Sequence, residues 1–201
     1  MAISHPIDGD LRLEGVFVQF LGNWHTYIDC CSRARLVDGT DRAGLSAGDR
    51  LAIWIYTTDH SRWYQQINSE LWSGHPSTAV REFARILNSA LQKLPVYIGA
   101  VHRGYMSDDL SKDLAKYTVG AIVDWPGFTS TSQDEDKAFD GNMTFTILSR
   151  SGRVLGGYSD MLGEDEILFH TATRYRVLRV QRQNGAAVVE LEEVIAPERA
   201  A

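Results

Sequence analysis

Three short segments, far apart in the chain, combine residue types that do chemistry: Val101-His102-Arg103-Gly104, Phe128-Thr129-Ser130-Thr131-Ser132 and Glu164-Asp165-Glu166-Ile167-Leu168-Phe169. An extended backbone sends successive side chains to opposite faces, so Glu164 and Glu166 project together while Asp165, Ile167 and Phe169 point the other way. Two carboxylates side by side on a strand are costly unless a cation or ligand meets them; failing that, they are a solvated strand face. Arg103 closes an apolar run. Its planar fork suits a phosphate, and Gly104 allows close approach to the backbone, although a surface arginine at a strand end needs neither. The hydroxyls of Ser130, Thr131 and Ser132 can hold a carboxylate in one geometry, or they are the polar alternation of an edge strand.

The elements that must position these residues change character near Pro95. Before it the apolar spacing is helical. Ser46 with Asp49 caps a helix bearing Leu51, Ala52, Ile55 and Tyr56, and a second helix carries Tyr64, Ile67, Asn68 and Leu71. Beyond Gly74 and Pro76, Ser77 or Thr78 starts a third, with Val80, Phe83, Leu87, Ala90, Leu91 and Leu94 facing a core. After Pro95 the period shortens to two, predicting strands at 96–103, 128–131, 143–149, 164–170, 174–183 and 186–194, with a helix at 107–117 and a short helical turn at 134–139. Asn184-Gly185 predicts a hairpin. Helices first and strands afterwards give an α+β fold, not a doubly wound parallel sheet. Residues 1–45 are an extension of uncertain structure, in which 11–20 fits a strand or a short helix; 46–201 form a single domain.

With 201 residues, 44% of them hydrophobic and 23% charged, the chain has the composition of a globular domain with a core of its own. Acidic residues outnumber basic ones, 26 to 20, for a net charge of −6. A general grip on nucleic acid or an anionic membrane is therefore disfavoured. The two cysteines, Cys30 and Cys31, are adjacent, which suits neither a disulfide framework nor a zinc site, and the six histidines are scattered, so no metal is expected. No apolar window is long enough to span a membrane, and the first residues lack a secretory signal pattern. The expected location is cytoplasmic, or a target cell reached by signal-independent export. No Gly-x-Gly-x-x-Gly follows a strand and no P-loop occurs, so a dinucleotide carried on a doubly wound fold is excluded.

Taken in order, the Arg, Ser-Thr-Ser and Glu-x-Glu segments, 27 and 36 residues apart, resemble the arginine-specific mono-ADP-ribosyltransferase family of bacterial toxins and effectors. The run from Leu114 through Trp125-Pro126-Gly127-Phe128 is similar to that family's link into its Ser motif, and Tyr56-Thr57 with Ile67-Asn68-Ser69-Glu70-Leu71 to its helical lobe. The resemblance covers roughly residues 46–194, with His102 where the family often has Tyr. It implies a helical lobe followed by a mainly antiparallel mixed sheet core of two packed sheets. It also implies NAD as co-substrate and transfer of ADP-ribose to an arginine of a target protein, with release of nicotinamide. The alternative keeps the NAD chemistry with a nucleic acid or water as acceptor. By resemblance, Glu166 stabilises the cationic transition state, Ser130 holds Glu166, and Arg103 anchors NAD, with Gly104, Thr131 and Ser132 beside it. Glu164 meets the acceptor, and Tyr158 in the Gly-rich loop 156–163 recognises the target. A toxin of this kind implies an immunity or antitoxin partner.

Overall fold

A computed structural model describes residues 11–34, 44–138, 140–159 and 165–195. Those up to Pro95, with 155–159, form one compact unit, and the others form a second.

The first unit is helical: α1 (Leu11–Leu21), α2 (Trp24–Ala34), α3 (Ala47–Thr57), α4 (Trp63–Trp72) and α5 (Thr78–Gln92), plus a 3-10 turn at Gly156–Tyr158. The segment the sequence left open between strand and helix is α1. Ser46 and Asp49 form the reciprocal capping box of α3: the Asp49 amide donates to Ser46 Oγ, and the Ser46 amide to Asp49 Oδ2. Lys93 Nζ, just beyond α5, also donates to Asp49 Oδ2 at 2.6 Å, tying the start of α3 to the end of α5. Ser77, not Thr78, caps α5, accepting from the Val80 amide. All six residues expected on its inner face are buried, and Phe83 stacks on Phe20 with ring centres 4.6 Å apart and meets Phe17 edge-on. The helix α3 is buried nearly all round, as its continuous apolar run Leu51 to Tyr56 requires.

The second unit holds β1 (Gly99–Tyr105), α6 (Leu110–Leu114), β2 (Ile122–Trp125), β3 (Thr129–Ser132), β4 (Met143–Ser149), β5 (Arg153–Val154), β6 (Glu166–Phe169), β7 (Thr173–Gln183) and β8 (Ala186–Glu193), with a 3-10 turn at Glu135–Lys137. The strands make one ladder, ordered β2-β7-β8-β4-β1-β3-β6-β5, in which, among the described residues, only β4 and β8 run parallel. Between β1 and β3 the ladder narrows to the single pair His102–Ser132, whereas β1 and β4 share seven pairs. The two sheets expected from the sequence are thus joined at one rung. They still pack face to face. In a flat sheet β6 and β7 would be five strand spacings, or about 24 Å, apart. Phe169 on β6 nevertheless meets Tyr175 on β7 with ring centres 5.7 Å apart, so the sheet folds over at the narrow rung. Ile167 and Phe169 then share a core with Val101, Phe145, Ile147, Val177, Val189 and Leu191.

Asn184 and Gly185 both have positive φ, 51° and 81°, which is the two-residue turn that matches strand twist and lets β7 return as β8. The expected strand 164–170 is shorter, because Asp165 sits at φ 46° and the ladder begins only at Glu166. The alternation expected over 164–170 is therefore interrupted at Asp165, and Glu164 lies outside the described residues. No helix among the described residues is long and apolar enough to cross a membrane.

Candidate active site

The site is assembled where the ladder narrows. On β3, Ser130 pairs with Leu168 of β6 and Ser132 pairs with Glu166, so Ser130 and Glu166 are diagonal neighbours. Across that diagonal Ser130 Oγ donates to Glu166 Oε1 at 2.7 Å. The carboxylate is almost wholly buried, with 7% of Glu166 exposed, so of the two readings the sequence left open, a solvated strand face does not hold for Glu166. The triplet thus holds a buried carboxylate in one orientation with a charge-assisted hydrogen bond from a strand. Thr131, one residue on, faces the other way and spends its hydroxyl on the Ile167 carbonyl at 2.8 Å, fixing β6 against β3. Ser132 Oγ accepts from the Asp134 amide and starts the turn that follows β3.

Arg103 reaches the same place from β1. Its Nη1 donates to the Ser130 carbonyl at 2.7 Å, so the guanidinium and the Ser130 hydroxyl are fixed by one residue of β3. Gly104 is buried beside it. Arg103, Ser130, Thr131 and Ser132 line one hollow together with His102, Lys137 and Ala138. His102 Nδ1 is buried there with no hydrogen-bond partner among the described residues. Such a group is costly unless something polar meets it.

Lys137 is the residue the sequence reading passed over. It ends the 3-10 turn after β3, and its Nζ donates to Asp165 Oδ2 at 2.8 Å; this hydrogen bond raises the lysine's pKa above its ordinary value. Lys137 is one of only four lysines in the chain and sits alone among Asp134, Glu135 and Asp136. That isolation, five residues past the triplet, was the available signal.

A buried carboxylate held by a hydroxyl, beside a cation and a polar hollow, can stabilise a positive charge developing on a sugar whose phosphates the cation holds. Tyr158 is half-buried in the 3-10 turn of the helical unit, and Glu164 lies outside the described residues.

Residues 24–196 match the family model for NAD:arginine ADP-ribosyltransferase. The chain belongs to that family. Its relatives include a putative NAD(+)–arginine ADP-ribosyltransferase, Mav, of Mycobacterium avium, 35% identical over 74% of this chain and 18% of that protein. Tre1 of Serratia proteamaculans, an NAD(+)–protein-arginine ADP-ribosyltransferase, is 31% identical over 71% of this chain and 31% of its own length. The chain thus spans less than a third of either protein. Among solved structures, the type III effector XopAI of Xanthomonas axonopodis pv. citri has the same fold, with a TM-score of 0.75 over 93% of this chain and 89% of that one at 18% identity. In this family the α+β order inferred from the sequence, helices and then a mixed, mainly antiparallel sheet, is the expected arrangement, and NAD is the co-substrate.

Proposed function

We propose that this ADP-ribosyltransferase domain transfers ADP-ribose from NAD to an arginine of a target protein, releasing nicotinamide, and that it serves as a toxin or effector inside a target cell. The observation that carries this reading is the Ser130–Glu166 hydrogen bond with Arg103 fixed to the same residue of β3. In the reaction the bond between nicotinamide nitrogen and ribose C1′ breaks, and its electron pair leaves with nicotinamide. Glu166 places a fixed negative charge against the positive charge that grows on the sugar, and also takes the ribose 2′-hydroxyl as a donor. Ser130 prevents that carboxylate from rotating away. Arg103 offers its fork to the pyrophosphate, and Gly104, Thr131 and Ser132 shape the wall around it.

Glu164 pairs with the incoming guanidinium and accepts the proton that its nitrogen loses as it attacks C1′. Tyr158 contributes to recognition of the target protein. A cognate inhibitor protects the producing cell, since NAD and arginine are present there as well.

The test is incubation of the chain with NAD labelled in its adenylate part and a cell lysate. Label should enter macromolecules, resist nuclease and be lost to protease. Label lost to nuclease would move the acceptor to nucleic acid, and nicotinamide release with no macromolecular label would make the chain a glycohydrolase.

A further inference from the structure

Between the part of the ladder that carries Arg103 and the part that carries Glu166, the backbone pairs at one rung, His102–Ser132. The chain itself crosses a second time at the turn 149–153, which leaves β4, the neighbour of β1, and enters β5, the neighbour of β6. Apolar packing keeps the two layers together but is non-directional, so the placement of Glu166 relative to Arg103 depends on how firmly that turn is held. Glu193, the last residue of β8, holds it. The residue is 3% exposed, and its carboxylate accepts the Arg150 amide at 2.6 Å, the Ser151 amide at 2.8 Å and the Ser151 hydroxyl. The Gly152 amide goes to Ser149 Oγ, which itself donates to the Tyr97 carbonyl, and the Tyr97 amide donates to the Gly152 carbonyl at 2.8 Å. Every amide from 150 to 152 is thus spent on an acceptor. Beside the turn lies β6: a methyl on Gly152 would stand 2.6 Å from Ile167 Cγ2 and 3.3 Å from Phe169 Cε1. Ile167 directly follows Glu166 and is stiff at χ1, so a shift of the turn is felt next to the carboxylate.

We propose that Glu193 is a positioning residue for the reaction: by locking the turn at 150–152 it fixes β6, and with it Glu166, relative to Arg103. This rests on the reading of the chain as an NAD-using transferase. Glu193 is not among the residues that line the hollow, so it acts through the turn and touches neither cofactor nor acceptor. Arg103 stands on β1, which β4 holds through seven pairs whether or not the turn is locked. Loss of the clasp therefore misaims the carboxylate and spares the phosphate anchor, which separates turnover from cofactor affinity. A clasp that served stability alone would change neither in the molecules that remain folded.

The measurement is nicotinamide release from NAD by the whole chain, with competent molecules counted by calorimetric titration of the same preparation with ADP-ribose. Glu193→Ala should lower kcat per competent molecule about ten- to hundredfold, the cost of a misplacement of up to about 1 Å, and leave the ADP-ribose dissociation constant unchanged. Glu193→Gln keeps an oxygen for the two amides and should restore most of the rate, and Ser151→Ala, which deletes one of the three donors, should fall between. Amide exchange read residue by residue should quicken at Ile167 and Leu168 in Glu193→Ala and Ser151→Ala but not at Val101 or Arg103. Full kcat per competent molecule in Glu193→Ala, whatever its melting temperature, makes the residue a structural clasp and overturns the proposal. ADP-ribose affinity lost in step with kcat, or a Glu193→Gln variant as slow as the alanine, overturns it as well. If Glu193→Ala does not fold, Ser151→Ala decides: a lower kcat at unchanged affinity supports the proposal, and an unchanged kcat overturns it. If the unmodified chain releases no nicotinamide, the transferase reading fails, and exchange at Ile167 and Leu168 alone decides whether Glu193 holds β6.

Discussion

At the scale of single residues the proposed roles separate bond cleavage from acceptor chemistry. Glu166→Ala removes the charge opposite the developing cation, and a preorganised stabiliser of this kind is worth about 10² to 10³ in rate. Transfer and nicotinamide release should fall together by at least that much, with the melting temperature little changed; retention of more than about a tenth of turnover would exclude Glu166 as the stabilising carboxylate. Ser130→Ala leaves the charge but removes the hydroxyl that aims it, and a lost donor to a buried charge costs roughly 1–3 kcal/mol, or about five- to 150-fold in kcat. Arg103→Lys should raise the NAD dissociation constant, because an ammonium cannot hold the Ser130 carbonyl and a phosphate in one plane; calorimetry showing no change would take Arg103 out of the cofactor site. Glu164→Gln should act differently from all three. Arginine transfer, followed with agmatine, should collapse while slow release of nicotinamide to water persists, and equal loss of both would assign Glu164 to cleavage.

At the scale of elements, Glu166 is only as well placed as β6, and β6 rests on Gly152. A Cβ at that position would lie 2.6 Å from Ile167 Cγ2 and 2.7 Å from Ser149 Oγ, so Gly152→Ala must push on the stiff, β-branched side chain that follows Glu166 on β6. Overpacking of this sort costs about 1–3 kcal/mol. The variant should melt earlier and also lose kcat per folded molecule, whereas an alanine that lowered only stability would show that β6 tolerates the shift. What the sequence made legible follows the same physics. The range 143–149 alternates strictly and is β4 residue for residue, and Asn184-Gly185 is the turn its composition demanded. The two missed strands, β2 and β5, have four and two residues and lie at the edges of the ladder, where pairing on one side leaves little pattern to read. The break at Asp165 was hidden because aspartate is one of the few residues that enters positive φ at low cost, so its presence in an extended-looking run carries no warning. Ser130 and Glu166 were recognisable as a constellation, but the fold-over at His102–Ser132 that sets them beside Arg103 arises from pairing between strands remote in sequence.

At the scale of the whole molecule, the helical unit carries an internal reporter of its own integrity. Cys30 and Cys31 lie together on α2, 1% and 6% exposed, and a thiol reagent must reach a sulfur before it can react. Burial, followed by the neighbouring Asp29, pushes the Cys30 thiol up to about 12, so its reactive thiolate at pH 8 is on the order of 10⁻⁴ of the population. Both barriers vanish when the helices separate, because an unfolded cysteine is exposed and has a pKa near 8.5. A disulfide-exchange reagent added at pH 8 should therefore label neither cysteine in buffer on the timescale in which it labels a free thiol peptide. It should label both in strong denaturant. At intermediate urea the labelling rate should follow the population of opened molecules, rising exponentially with denaturant, and its slope then measures the surface exposed when α2 leaves the unit. Immediate labelling of a cysteine in buffer would show that α2 is not packed with its two sulfurs inward, and that the helical unit is held together by other faces than those described.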